Sequence, residues 1–218
     1  MTTDEARQSQ EYVFDLSGGS LCLNFVDTVS GSRARPTERL RSYEDLVSWG
    51  RQSGAITYDV ADRLAQAAER RPRDAGGVLA EALRLREALF RIFSASVEDL
   101  RAPERVDVEL LNSALSEALQ HHRIVKTPEG FAWAWADDRD ALERIVWPVV
   151  HSAADLLTSP DLRRVRRCAG ADCDWLFMDL SRNRTRRWCD MKGCGNRAKA
   201  RRYYERHRAH AEGGRAPG

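Results

Sequence analysis

Four of the five cysteines lie within 27 residues, in two pairs of equal spacing: Cys168-Ala-Gly-Ala-Asp-Cys173 and Cys189-Asp-Met-Lys-Gly-Cys194. Two such pairs, separated by an insert of fifteen residues, are typical of a structural zinc site. Each pair on a short turn can supply two of the four thiolates that tetrahedral Zn²⁺ takes. The sequence therefore predicts one structural Zn²⁺ per chain on these four cysteines, with two disulfides or an iron–sulfur cluster as alternatives. Cys22 stands apart and is predicted to be a small buried residue.

The residues around the cysteines predict how the two pairs meet. Within the insert, Trp175 and Phe177 alternate with other side chains, a polar turn follows at 181–183, and Trp188 comes just before the second pair. We expect two strands joined by that turn, and then a helix with Asn196 as its N-cap. This order predicts a treble-clef-like zinc finger with a hairpin and a helix. A segment with so few aliphatic residues needs a metal ion to fold.

Charge divides the chain unevenly behind a net charge of +2. Residues 161–210 contain fifteen Lys and Arg against six Asp and Glu, whereas residues 1–160 contain nineteen against twenty-six. A basic module on an acidic body indicates a polyanionic partner for one end only, and we expect double-stranded DNA. Helix arginines can bind guanine in the major groove, and turn arginines can bind phosphate. The predicted DNA contacts are Arg182, Arg184, Arg186, Arg187, Asn196, Arg197, Lys199, Arg201, Arg202 and Arg206. Two alternatives stay open: a basic shell that neutralises the thiolates, and a partner that is protein or RNA.

The acidic body has mainly helical periodicity. Ser42 begins a capping-box-like helix, Thr57 caps another, and the longest apolar stripe runs from about residue 75 to 100. Alternating aromatic residues around Pro-Glu-Gly predict a β-hairpin, whereas residues 31–40 are expected to form a loop. A last helix, from about 138 to 157, is expected to kink at Pro148. The predicted fold class is mainly α with a small β-hairpin, plus the C-terminal finger.

A candidate ligand pocket and the absence of catalytic motifs bear on what the body does. Polar residues within an apolar segment and three residues near the last helix define the candidate pocket: Asn24, Asp27, Thr28, Trp133, Trp147 and His151. Ordinary packing and hydrogen bonding between helices is the alternative role for these side chains. The sequence contains no phosphate-binding glycine loop, no H-E-x-x-H and no G-x-S-x-G. We therefore expect a protein that is not an enzyme.

Two segments resemble a known family. The stretch from Cys189 to Arg208, with Cys-Gly-Asn-Arg at 194–197, is similar to the CGNR zinc finger. The opening F-D-L-S-G-G-S-L-C-L-N-F-V-D-T-V at 14–29 resembles the start of the ABATE domain, which precedes that finger. The resemblance implies a stress-related transcription regulator whose finger binds DNA. It also implies three parts: an ABATE-like domain at 1–160 for sensing or dimerisation, a finger at 161–210, and a flexible tail at 211–218.

These observations together predict a DNA-binding regulator with a four-cysteine zinc finger. A small-molecule effector and a homodimer are further expected partners, and a membrane is not. The alternatives are an interaction module for protein or RNA and, less favoured, a small-molecule enzyme. Since no apolar run could span a bilayer and no secretory signal opens the chain, we expect the cytoplasm, with association to the nucleoid on DNA binding.

Overall fold

The computed structural model describes residues 12–98, 102–136 and 141–213. The helices are α1 Leu21–Val26, α2 Tyr43–Gln52, α3 Tyr58–Arg70, α4 Pro72–Glu98, α5 Arg105–Gln120, α6 Trp147–Thr158 and α7 Asn196–Gly213. The strands are β1 Val29–Ser32, β2 Arg35–Glu38, β3 His122–Thr127, β4 Gly130–Trp135, β5 Val165–Arg167 and β6 Leu176–Met178. Short 3-10 turns at Leu142–Ile145 and Pro160–Arg164 and a π turn at Met191–Gly195 complete the described part. The mainly α fold class is confirmed.

Local capping signals start the helices where the sequence predicts. The Ser42 hydroxyl accepts the Asp45 N–H while the Asp45 carboxylate accepts the Ser42 N–H, which is a complete capping box. Thr57 accepts the Val60 N–H at the start of α3. Each side chain satisfies an amide that has no partner within its own helix, so the helix begins there.

One core joins α1 to α6. Its largest fully buried side chains include Trp49, Phe25 and Phe93, from α2, α1 and α4 respectively. Close packing at Gly50 brings α2 onto the 3-10 turn at Leu142–Ile145: a Cβ on this glycine would lie 2.7 Å from Ile145 Cδ1. A side chain at position 50 would therefore require the Ile145 side chain to move.

Two local predictions are wrong. Residues 31–40 are not a plain loop, because β1 and β2 pair as an antiparallel hairpin in which Gly31 has a φ of +84°. Pro148 does not kink a longer helix; it lies in the first turn of α6, where its missing N–H costs nothing. The aromatic hairpin is confirmed, since β3 and β4 pair from His122–Trp135 to Thr127–Gly130.

The finger hairpin is part of the body's core. The strand β6 pairs with β5, not with the residues after the 181–183 turn, so the expected hairpin within the insert is wrong. Val165, Leu176 and Met178 pack in the same buried cluster as the helices. The Met178 N–H also donates to the Gly18 carbonyl at 2.8 Å. The segment that contains the four clustered cysteines is therefore packed against the helical body through β5 and β6.

Candidate metal centre and basic surface

The four clustered cysteines converge on one point. All four are buried and free of disulfides, and their Sγ atoms lie within 4.8 Å of one another. The Cys173–Cys189 and Cys189–Cys194 Sγ pairs are 3.8 and 3.7 Å apart. Zn–S bonds of about 2.3 Å place the corners of a thiolate tetrahedron about 3.8 Å apart, whereas a disulfide needs about 2.05 Å. The donor set and its spacing fit one zinc ion.

Backbone turns place the sulfurs. Cys168 and Cys173 lie in the turn that links β5 to β6, and the Cys168 N–H donates to the Trp175 carbonyl at 2.9 Å. Gly170 lies in the same turn: a Cβ there would be 3.3 Å from Cys194 Sγ and 3.2 Å from Cys173 Cβ. The sequence analysis did not single out this glycine, which leaves room for the sulfurs.

The second cysteine pair is placed by the π turn before α7. The Asp190 carboxylate accepts the Gly193 N–H at 2.6 Å, so Asp190 caps this turn. Asn196 is not the N-cap: its backbone is already helical, and its side-chain amide donates to the Lys192 carbonyl. Capping thus begins six residues earlier than the sequence predicts.

Hydrogen bonds from N–H groups surround the sulfur atoms. The Gly170 and Cys189 amides each lie 3.4 Å from Cys168 Sγ, and Arg197 Nη2 lies 2.9 Å from Cys194 Sγ. Donors of this kind stabilise thiolates, the form that binds a metal ion. Arg197 thus contacts the centre itself.

Asp174 ties the first cysteine pair to the body. Its carboxylate accepts the Arg33 N–H and the Arg167 guanidinium, each at 2.6 Å. Arg33 Nη1 also donates to both carboxylate oxygens of Glu87 in α4, and the guanidinium lies over the Phe90 ring at 4.0 Å. These partners lower the pKa of Asp174 against the effect of burial. A charged network therefore links the metal turn to the longest helix.

Arg186 is a structural crosslink. Its guanidinium donates to the carbonyls of Met178, Trp188, Ser17 and Cys189, and it lies 4.4 Å above the Phe177 ring. Four of the five N–H donors of this guanidinium are thus directed at carbonyls of the chain itself.

The remaining predicted cations are exposed. We call them the basic surface: Arg182, Arg184, Arg187, Lys199, Arg201, Arg202 and Arg206. Asp179 organises the loop that carries the first three, because it accepts the Ser181 hydroxyl and N–H and the Arg186 N–H. Trp188 lies between two members, with Arg187 and Arg202 5.5 and 5.7 Å from its ring. Next to the zinc site, a groove of about 370 Å³ is lined by Arg187, Arg197, Arg201 and Arg202, and also by Asp172 and Glu205.

Comparisons with known protein families identify both parts of the chain. Residues 19–160 match the ABATE family, described as "Putative stress-induced transcription regulator". The chain belongs to this family. Residues 164–207 match the CGNR zinc finger, which contains the four converging cysteines. Neither description names an enzyme, and no curated protein matches the chain.

The ABATE region does not assemble the predicted ligand pocket from all six residues. Asn24 accepts the Gly18 N–H, Thr28 donates to the Phe25 carbonyl, and Asp27 accepts the Leu176 N–H at 3.0 Å. These three side chains form hydrogen bonds with backbone groups of the chain, in line with the structural role that the sequence analysis gave as the alternative to ligand binding. Burial raises the pKa of Asp27 well above its usual range, and its second oxygen has no hydrogen-bond partner.

The aromatic members of the predicted pocket separate as well. Trp147 is buried at a different cleft, between α4, α5 and α6, and stacks on His121 at 4.0 Å. Of the six predicted residues, Trp133 and His151 line the cavity beside the β3–β4 hairpin. Throughout the described ranges, no helix combines the length and apolar character needed to cross a membrane.

Proposed function

We propose that this protein is a transcription regulator that binds double-stranded DNA through the basic surface of its CGNR finger. The observation that carries the proposal is the exposed basic groove beside the zinc site, lined by Arg187, Arg201 and Arg202. Neutralising the thiolates does not require these side chains, since Arg197 and backbone amides already contact sulfur. Exposed guanidinium groups on a rigid scaffold suit phosphate and guanine recognition.

The two halves of the basic surface have different proposed roles. The loop cations Arg182, Arg184 and Arg187 bind phosphates, which sets affinity without sequence preference. Lys199, Arg201, Arg202 and Arg206 project from α7, a helix that can enter the major groove and read base edges. Asn196 and Arg197 begin this helix and hold it on the second cysteine pair, through the Lys192 carbonyl and Cys194 Sγ.

The experiment is DNA binding at several salt concentrations, with site selection from random duplexes. Arg182→Ala is expected to weaken all sequences alike and to reduce the salt slope by about 1. Arg201→Ala is expected to cost about 1–3 kcal/mol on the preferred site and to relax its selectivity. Arg73→Ala is the matched control, because Arg73 is an exposed arginine on the acidic body. If Arg73→Ala weakens binding as much as the finger variants, the proposal is wrong.

Single-stranded RNA is the second candidate ligand of the finger. Tyr203 and Tyr204 are 54% and 71% exposed on α7. Exposed aromatic rings can stack on unpaired bases. A binding competition between duplex DNA and single-stranded RNA of equal charge distinguishes the two ligands. If the protein prefers the RNA, the DNA proposal is wrong and RNA takes its place.

The ABATE region supplies regulation in this proposal, and the protein has no catalytic role. An effector bound to the body can reach the finger because β6 hydrogen-bonds to residues 18 and 27. Homodimerisation would double the DNA contacts, and sedimentation with and without duplex measures it. Localisation in the cytoplasm and on the nucleoid follows from DNA binding and can be followed by microscopy of a fluorescent fusion.

A further inference from the structure

A shallow cavity of about 570 Å³, open to solvent, lies where the body meets the finger. The β3–β4 hairpin forms one wall, α6 a second, and Met178 of β6 closes the side towards the finger. Gly19 lies against Met178, where a Cβ would be 3.2 Å from the methionine Cβ and where φ is +80°. An occupant of this cavity would therefore touch both parts of the chain.

The hairpin wall is an aromatic stack. The His122 ring stacks against Trp133 and against Trp135, each at 4.4 Å, and His151 of α6 meets it edge-on at 4.8 Å. Trp133 is 66% exposed, so most of this large ring is left without contacts in the chain. Contact with a ligand would remove that apolar surface from water.

The polar part of the cavity favours positive charge. The ionisable lining residues other than histidine are Asp155 and Asp161, and neither Lys nor Arg is among the described residues that line it. Asp161 is offset by Arg164 at 2.8 Å, whereas Asp155 is 70% exposed and lies 3.1 Å from the His151 ring. Burial and the neighbouring His151 lower the pKa of His122.

We propose that this cavity binds a small organic cation of the alkylammonium class, held by the Trp133 indole and the Asp155 carboxylate. Indole attracts ammonium groups through its ring quadrupole, and a carboxylate adds Coulomb attraction. An anion would be repelled by the Asp155 carboxylate, and neither lysine nor arginine is among the described residues that line the cavity. A regulatory role for this ligand rests on the proposed function, but the binding of the ligand does not. Cation binding and DNA binding can therefore be refuted independently.

Calorimetry on the zinc-loaded full chain, without DNA, tests the proposal with three probes of nearly equal shape. Choline is the cation, 3,3-dimethylbutan-1-ol is its neutral isostere, and 3,3-dimethylbutanoate is the anion. We expect choline to bind about tenfold more tightly than the alcohol, and the anion to bind more weakly still. Equal binding of choline and the alcohol, or no binding of choline, overturns the proposal.

Variants locate the site. Trp133→Ala is expected to weaken choline about tenfold, and Asp155→Asn to weaken choline but not the alcohol. Phe131→Ala is the matched control, because Phe131 is 78% exposed on the same hairpin face but does not line the cavity. Circular dichroism confirms that each variant keeps its helices. A loss with Phe131→Ala equal to that with Trp133→Ala would place binding elsewhere and overturn the assignment.

The alkylammonium group also occurs on lipid headgroups. A vesicle-binding experiment distinguishes a lipid surface from a free cation. Phosphatidylcholine vesicles at the same headgroup concentration are expected not to co-sediment with the protein, because the proposed ligand is a free molecule. Co-sedimentation that Trp133→Ala abolishes would replace the free cation with a lipid surface and refute the proposal.

Discussion

Replacing Arg186 should destabilise the fold and leave DNA recognition by the folded protein intact. Arg186 was predicted from the sequence as a DNA contact, but its guanidinium binds carbonyls from three parts of the chain. Ser17 belongs to the segment before α1, Met178 to β6, and Trp188 and Cys189 to the second metal turn. Arg186→Ala therefore removes the side chain that links the turn at Trp188 and Cys189 to β6 and to the segment before α1.

The size of the effect follows from these contacts. A hydrogen bond to a charged group contributes about 1.5–3 kcal/mol, and the contact with the Phe177 ring about 1 kcal/mol. The bonds share one guanidinium and water can reach part of the freed carbonyls, so they do not add in full. We expect a loss of about 3 kcal/mol in the free energy of unfolding, and a urea midpoint about 1 M lower.

Urea unfolding, zinc release to a chelator and DNA affinity are measured on the same zinc-loaded variants. Arg186→Lys keeps the charge but not the planar fork, so it should recover less than half of the lost stability. Arg182→Ala is the matched control: exposed and four residues away, it should change stability by less than about 0.5 kcal/mol while weakening DNA binding. If Arg186→Ala keeps wild-type stability and loses DNA affinity as Arg182→Ala does, the structural role is refuted.

Three further predictions concern other parts of the chain. Cys194→Ser should purify with no bound zinc and Cys22→Ser with one ion, as metal analysis of both would show; zinc retained in Cys194→Ser contradicts the site. Burial raises the pKa of Asp27 above 3.8, so the stability linked to its proton is present at low pH and is lost as the pH rises through the folded value. The gain in unfolding free energy of Asp27→Asn over the wild type should therefore grow with pH, and a gain that is flat with pH contradicts the assignment. Gly50→Ala should cost about 1–3 kcal/mol by overpacking, and Ile145→Val in the same chain should restore part of that loss because it removes the atom 2.7 Å from the new Cβ; no restoration would place the strain elsewhere.

Local patterns were enough to predict the metal site and the starts of α2 and α3. The spacing of the cysteine pairs is set by the turns that hold them, and the Ser42 and Thr57 caps involve residues three positions apart. The zinc fit and the helical class are accordingly confirmed.

Contacts between residues far apart in sequence could not be predicted from local patterns. The partner of β6 lies before the first cysteine, and no property of Val165–Arg167 distinguishes it from other short apolar or basic segments. The roles of Arg186 and Arg197 were missed for a related reason. Composition gives their charge, but only the fold shows that one guanidinium binds carbonyls and the other a cysteine sulfur.

Because β5 and β6 pack into the core of the body, the finger cannot be exchanged between proteins as a separate domain. Fingers on flexible linkers can be exchanged between proteins by cutting the linker, because few contacts cross such a boundary. A cut before Val165 would instead separate Leu176 from Asp27, Trp175 from the Val29 carbonyl, and Asp174 from Arg33. A chimera that transplants this finger must carry the residues around 17–33 with it, so the smallest exchangeable unit is discontinuous in sequence.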